Sequence, residues 1–141
     1  MEPLFTAVIP VLMARDVAAS LAFYARLGFA VDFEDDDASP RYAGISRDGV
    51  ALHLQWQDAA HWNNTLDRPV YRFRVADVAK AYAEFDASGA MASNATSSSP
   101  WRAPAHTPWG TFEFHLRDPD GNGLQFFEPA WRTPRASPRP P

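Results

Sequence analysis

The second half of this sequence repeats the plan of the first, and that constrains its fold more than any other feature. Asp16 and Gly28 are twelve residues apart, as are Asp77 and Gly89. Superposing the two segments pairs Val17 with Val78, Leu21 with Tyr82 and Tyr24 with Phe85. Each begins with an aspartate that can accept a hydrogen bond from first-turn amides, so it predicts a helix N-cap. Each carries apolar residues on one helical face and ends at a glycine, the residue that best adopts the left-handed stop. Strands precede both caps, Phe5 to Ala14 in the first half and Arg72 to Val75 in the second. Phe29 to Phe33 reads as a further strand, and Arg41 to Ser46 with Val50 to Gln57 as a hairpin turned at Asp48-Gly49. Strand, capped helix and three strands, performed twice, make a tandem βαβββ repeat of the α+β class. Pro10 cannot donate to a ladder, which puts the first strand at an edge or where pairing changes partner.

The best-specified local element runs from Pro108 to Glu128. Phe112, Phe114 and Leu116 alternate with Thr111, Glu113, His115 and Arg117, the period of a sheet with one apolar face. Asp118-Pro-Asp-Gly-Asn-Gly123 stops the strand with residues that accept positive φ. Leu124 to Phe127 then resumes the alternation, which predicts a hairpin. Asp118 and Asp120 look like a catalytic carboxylate pair, but bonding to the backbone of the turn accounts for them.

Trp109-Gly-x-x-Glu-Phe-x-Leu-Arg-Asp-Pro-Asp-Gly-Asn122 resembles the closing hairpin of the vicinal oxygen chelate superfamily, which includes glyoxalase I, extradiol dioxygenases and bleomycin-resistance proteins. Pro10 to Ala18, Phe23 to Phe29 and Asp32 to Asp36 resemble the bleomycin-binding branch in particular. The resemblance implies two modules forming one curved mixed sheet around a cavity, in a homodimer with two equivalent crevices between protomers. It places the metal-ligand positions of the superfamily's enzymes at Ile9, His53, Val70 and Gln125. Two of these are aliphatic, so neither a metal nor another cofactor is expected. It also implies that Trp109 lines the ligand crevice.

At 141 residues the chain suits one domain, expected over 1–128 with modules at 4–57 and 70–128. A polar linker spans 58–69. From Pro129 onward, five prolines and three arginines in thirteen residues cannot build a core and predict a disordered tail. No apolar run is long enough to span a membrane and no secretory signal pattern opens the chain, so the cytoplasm is expected. Absence of cysteine excludes disulfides, thiolate ligands and a cysteine nucleophile. Of thirteen basic residues three lie in the tail, leaving ten against seventeen acidic residues in the body, a balance of −7. Such a body disfavours nucleic acid and attracts cations.

No Walker, dinucleotide or Gly-x-Ser-x-Gly pattern is present, the four histidines are scattered, and no catalytic residue is assigned. A binding surface is the better expectation. Alternation aims His53, Gln55, Arg72, Arg74, Gln125 and Phe127 inward, with Glu113 and His115 as neighbours. Trp62, Trp101 and Trp109 lie in connections, where exposed rings can stack on flat heteroaromatic groups. The acidic run Glu34 to Asp37 would draw in a cation and Phe33 would help to orient it. Arg72 and Arg74 either pair with acids such as Glu113 or meet an anionic group of the ligand. The expected ligand is an aromatic, cationic, antibiotic-like molecule; the rival reading is a glyoxalase-like lyase or dioxygenase with a displaced metal.

Overall fold

A computed structural model describes residues 2–58, 60 and 69–130. Trp62, most of the expected linker and the Pro/Arg-rich residues after Ala130 lie outside the described residues. The chain forms two compact units. The first holds β1 (Val11–Ala14), α1 (Val17–Arg26), β2 (Ala30–Glu34), β3 (Tyr42–Arg47) and β4 (Val50–Trp56), together with Asp118–Asn122. The second holds β5 (Val70–Arg74), α2 (Val78–Ala87), β6 (Ala105–His106), β7 (Thr111–Arg117) and β8 (Gly123–Pro129).

The repeat read from the sequence is therefore present, and the fold is α+β. Each unit contains a four-stranded mixed sheet, ordered β1-β4-β3-β2 in one and β5-β8-β7-β6 in the other. In both, the first strand runs parallel to the last and the remaining pairs are antiparallel. The registers also correspond: Val11 faces His53 across the first parallel pair, and Arg72 faces Gln125 across the second. Asp16 caps α1 through the amide of Ala19, and Asp77 caps α2 through that of Lys80. Gly28 and Gly89 both take φ +86°, the left-handed value that ends each helix at little steric cost.

Each core lies between a helix and one face of its sheet. Val17 and Tyr24 of α1 are buried with Leu12, Ile45, Leu52 and Leu54. In the second unit Phe85 of α2 meets Phe126 edge-on at 5.1 Å, and Phe126 stacks between Phe73 and Phe114, again at 5.1 Å from each. Leu21 and Tyr82, paired in the repeat, are only partly buried.

One expectation needs correction. The first strand is four residues long rather than ten, because Pro10 supplies only a carbonyl, which accepts from His53 N at 2.9 Å. Residues 2–9 carry no strand pairing. The connection from Ser93 to Pro108 carries structure of its own. A 3-10 helix at Ala90–Thr96 buries Ala90 and Met91, and β6 pairs with β7. Asn94 pins the rest by donating to the carbonyls of Arg102 and His115.

The Asp118–Asn122 turn is more than a local stop. Asp118 Oδ1 accepts from the amides of Asp120 and Asn122, as the sequence suggested. Its Oδ2 accepts from the Tyr24 hydroxyl at 2.7 Å and from Asn122 Nδ2 at 2.8 Å. Asp120 accepts from Arg15 and from the Ser20 hydroxyl, and Asn122 donates to Met13 O. The turn is thus bonded to β1, to Arg15 and to α1. Removing one donor from a buried carboxylate costs about 1–3 kcal/mol. Tyr24→Phe should lower stability by about that much while keeping the ring's packing, as read by chemical denaturation.

Candidate functional site

In the first unit, β4 alternates between buried Leu52 and Leu54 on the helix side and His53 and Gln55 on the other. Tyr42, from β3, places its hydroxyl 2.8 Å from His53 Nδ1. Phe33, from β2, meets the His53 ring edge-on at 5.2 Å and stacks with Tyr42 at 6.2 Å. This arrangement requires Gly44, the register partner of Phe33. A Cβ there would lie 2.2 Å from Phe33 Cε1, so only glycine lets the ring cross the β3 backbone. Phe33 remains 46% exposed and Gln55 is exposed beside it. Tyr42 was not singled out from the sequence, although its alternation with Gly44 on β3 puts it on this face.

The acidic run is partly structural. Asp35 accepts from the amides of Arg41 and Tyr42, which hold its carboxyl below the usual carboxylate range. Asp36 accepts from Ala38 and Ser39. Arg41 in turn lies 3.8 Å over the ring of Trp56.

In the second unit the sheet face away from α2 carries Arg72, Arg74, Glu113, His115, Gln125 and Phe127. Glu113 is its centre and is fully buried. Arg72 grips the carboxylate with a fork, each guanidinium nitrogen 3.2 Å from one oxygen. Thr111 donates to one of those oxygens and His115 Nε2 to the other. Because an ionised carboxylate only accepts, the Nε2 of His115 carries the proton. Burial alone would push the Glu113 pKa up. The bonds from Arg72, His115 and Thr111, with the Arg72 charge, outweigh it and bring the value down to about 2. Arg72 also donates to Gln125 Oε1 at 2.6 Å and lies 4.2 Å over the ring of Phe127. The pairing of Arg72 with Glu113 considered from the sequence is present.

Next to this network, the Trp101 ring lies against His115 at 5.3 Å and against Trp109 at 5.5 Å. Trp109 sits in a turn closed by Thr107, which bonds both the backbone and the hydroxyl of Thr111. Thr111 therefore touches both the turn and Glu113, a role no periodicity signals. Trp109 is 58% exposed and Trp101 only partly, with Nε1 buried and unpartnered. Arg74 is exposed, and no side-chain hydrogen bond or ion pair joins it to a described residue.

Residues 7–126 match the family model of the Glyoxalase/Bleomycin resistance protein/Dioxygenase superfamily, and the chain belongs to that superfamily. Among solved structures it is similar to a bleomycin-binding protein complexed with bleomycin, at 25% identity and TM-score 0.71, covering 88% of this chain and 98% of the other. A bleomycin resistance determinant encoded on the transposon Tn5 is 26% identical with TM-score 0.68, over 90% and 100% of the two chains. The bleomycin-binding protein of bleomycin-producing Streptomyces verticillus, solved with copper(II)-bleomycin, is 28% identical with TM-score 0.64, over 89% and 97%. No curated protein sequence matches the chain.

The superfamily's metal chemistry does not fit these residues. Ile9 and Val70 have no donor atom, and the Oε1 of Gln125 is committed to the Arg72 cation. Among the described residues, no group of three or more His, Asp or Glu could hold a metal ion.

The Glu113 network makes stability depend on acid in a defined direction. A carboxylate whose folded pKa is depressed stabilises the fold above its unfolded value, near 4.5, and loses that contribution as pH falls toward 2. The displacement corresponds to roughly 3 kcal/mol. Glu113→Gln should be destabilised at neutral pH and should lose most of the wild type's fall in stability between neutral pH and about pH 3, measured by urea denaturation.

Proposed function

We propose that this protein is a metal-independent binding protein that sequesters an aromatic, cationic, antibiotic-like molecule of the bleomycin type and confers resistance to it in the cytoplasm. The observation that carries the reading is Trp109. A large ring, more than half exposed, is held on a tightly bonded turn and backed by Trp101 and His115. Such a ring is presented to something outside its own unit, and a flat heteroaromatic group is a suitable partner. Phe33 over Gly44, with His53 and Gln55 on the same face, offers a second aromatic surface in the first unit. The bleomycin-bound relatives support the ligand class. A lyase or dioxygenase would need metal donors that Ile9 and Val70 lack.

Trp109→Ala should weaken bleomycin binding by about 1–3 kcal/mol, from fivefold to more than a hundredfold. It should cost less stability than the ~3–5 kcal/mol of a deleted core aromatic. Titration calorimetry of wild type and variant, with and without chelator, checks this, and chelation should change neither affinity nor melting temperature. A large stability loss with unchanged affinity would mean that the ring merely holds its hairpin.

The ligand would occupy crevices of a homodimer. Leu4, Phe5 and Val8 are 88–90% exposed in the stretch before β1, more apolar surface than a short segment leaves in water without a partner. Light scattering at micromolar concentration should report a dimer, and deleting residues 2–9 should shift the protein to monomer.

A further inference from the structure

The charges on the sheet face of the second unit do not match a purely cationic ligand. Among the described residues of that face Glu113 is the only carboxylate, and both its oxygens are occupied, by Arg72, His115 and Thr111. A cation arriving at this face would find no acceptor with a spare charge and would meet the guanidinium of Arg72. That guanidinium is held in place by Glu113 and Gln125, so its own charge is compensated within the network. Arg74 is different. It shares a face with Arg72, two residues along β5, and faces Phe127 in the parallel ladder. Phe127 is in turn the cross-strand partner of Glu113 on β7. Arg74 is exposed and unpartnered among the described residues, so the uncompensated charge of the face is positive.

We infer that this face binds an anionic group, and that the ligand is an aromatic molecule bearing a carboxylate or sulfonate, whatever positive charge it carries elsewhere. Arg74 supplies the charge-assisted hydrogen bonds to that group. Phe127, already covered on one side by Arg72, supplies an apolar neighbour, and Trp101, with Trp109 against it, lies 5.3 Å from His115. The network around Glu113 then has a specific role. By neutralising Arg72 internally, it leaves Arg74, rather than two adjacent cations on β5, to meet the anionic group.

The inference rests on the reading of this face as a ligand surface, and three probes of one shape separate the two ideas. They are 2-naphthylacetate, its neutral amide and the corresponding ethylamine, titrated calorimetrically into the full-length protein. The acid should bind about three- to tenfold more tightly than the amide, and the amine most weakly, the range for one exposed charge-assisted contact. Arg74→Gln should bring the acid's affinity down to that of the amide, and high salt should do the same in the wild type. Equal affinities for all three probes, or a preference for the acid that survives Arg74→Gln, would overturn the anionic assignment and leave the ligand surface standing. If none of the three binds, the ligand surface itself is wrong and the inference falls with it.

Discussion

The structure depends most on a carboxylate taken out of water. Burial pushes the pKa of Asp118 up, against four hydrogen bonds that favour its ionised form, from Asn122, Tyr24 and two turn amides. Such a group is tolerated only where each acceptor site is met, so its partners must all be in place together. That requirement sets the turn between β7 and β8. It also fixes where α1 and β1 lie against the turn, because Tyr24, Ser20, Arg15 and Met13 all bond to it. Residues that look like a catalytic pair in the sequence are the ones on which the architecture of the first unit closes.

A second buried carboxylate organises the candidate site in the opposite electrostatic sense. Glu113 is surrounded by a cation, an imidazole and a hydroxyl, so its pKa falls where that of Asp118 rises. Both are buried acids, and the nature of the partner decides the sign. Neutral and backbone donors only partly offset the loss of solvation at Asp118, whereas the Arg72 fork at Glu113 more than offsets it. The same fork fixes Arg72, Gln125 and Phe127, and Thr111 carries the order on to the turn that presents Trp109.

Stacking does for the aromatic residues what hydrogen bonding does for the acids. In the second core the stacked phenylalanines Phe73, Phe114 and Phe126 fill the space under α2. Elsewhere rings are left partly open: in the first unit Phe33 lies over Gly44, and in the second Trp109 stands on the turn closed by Thr107 and Thr111. A rigid, half-exposed ring loses little conformational entropy when a flat ligand covers it.

Much of the fold was legible in the sequence because its signals are local. Asp16 and Asp77 announce caps, Gly28 and Gly89 announce stops, and the period of two in β4, β7 and β8 separates one sheet face from the other. The same alternation assigned His53, Arg72, Arg74, Gln125 and Phe127 to one kind of face, and the Pro-Trp-Gly turn put Trp109 outside the core. What each side chain does there was settled only by tertiary structure, since periodicity gives direction and not partner. Arg72 is held by Glu113, 41 residues away, and Asp118 binds not only its own turn but also Tyr24, 94 residues away. The shortness of β1 and the small strand β6 also escaped, because strand ends are set by where a neighbouring backbone stops offering hydrogen bonds, a property of the partner strand and not of the residues themselves.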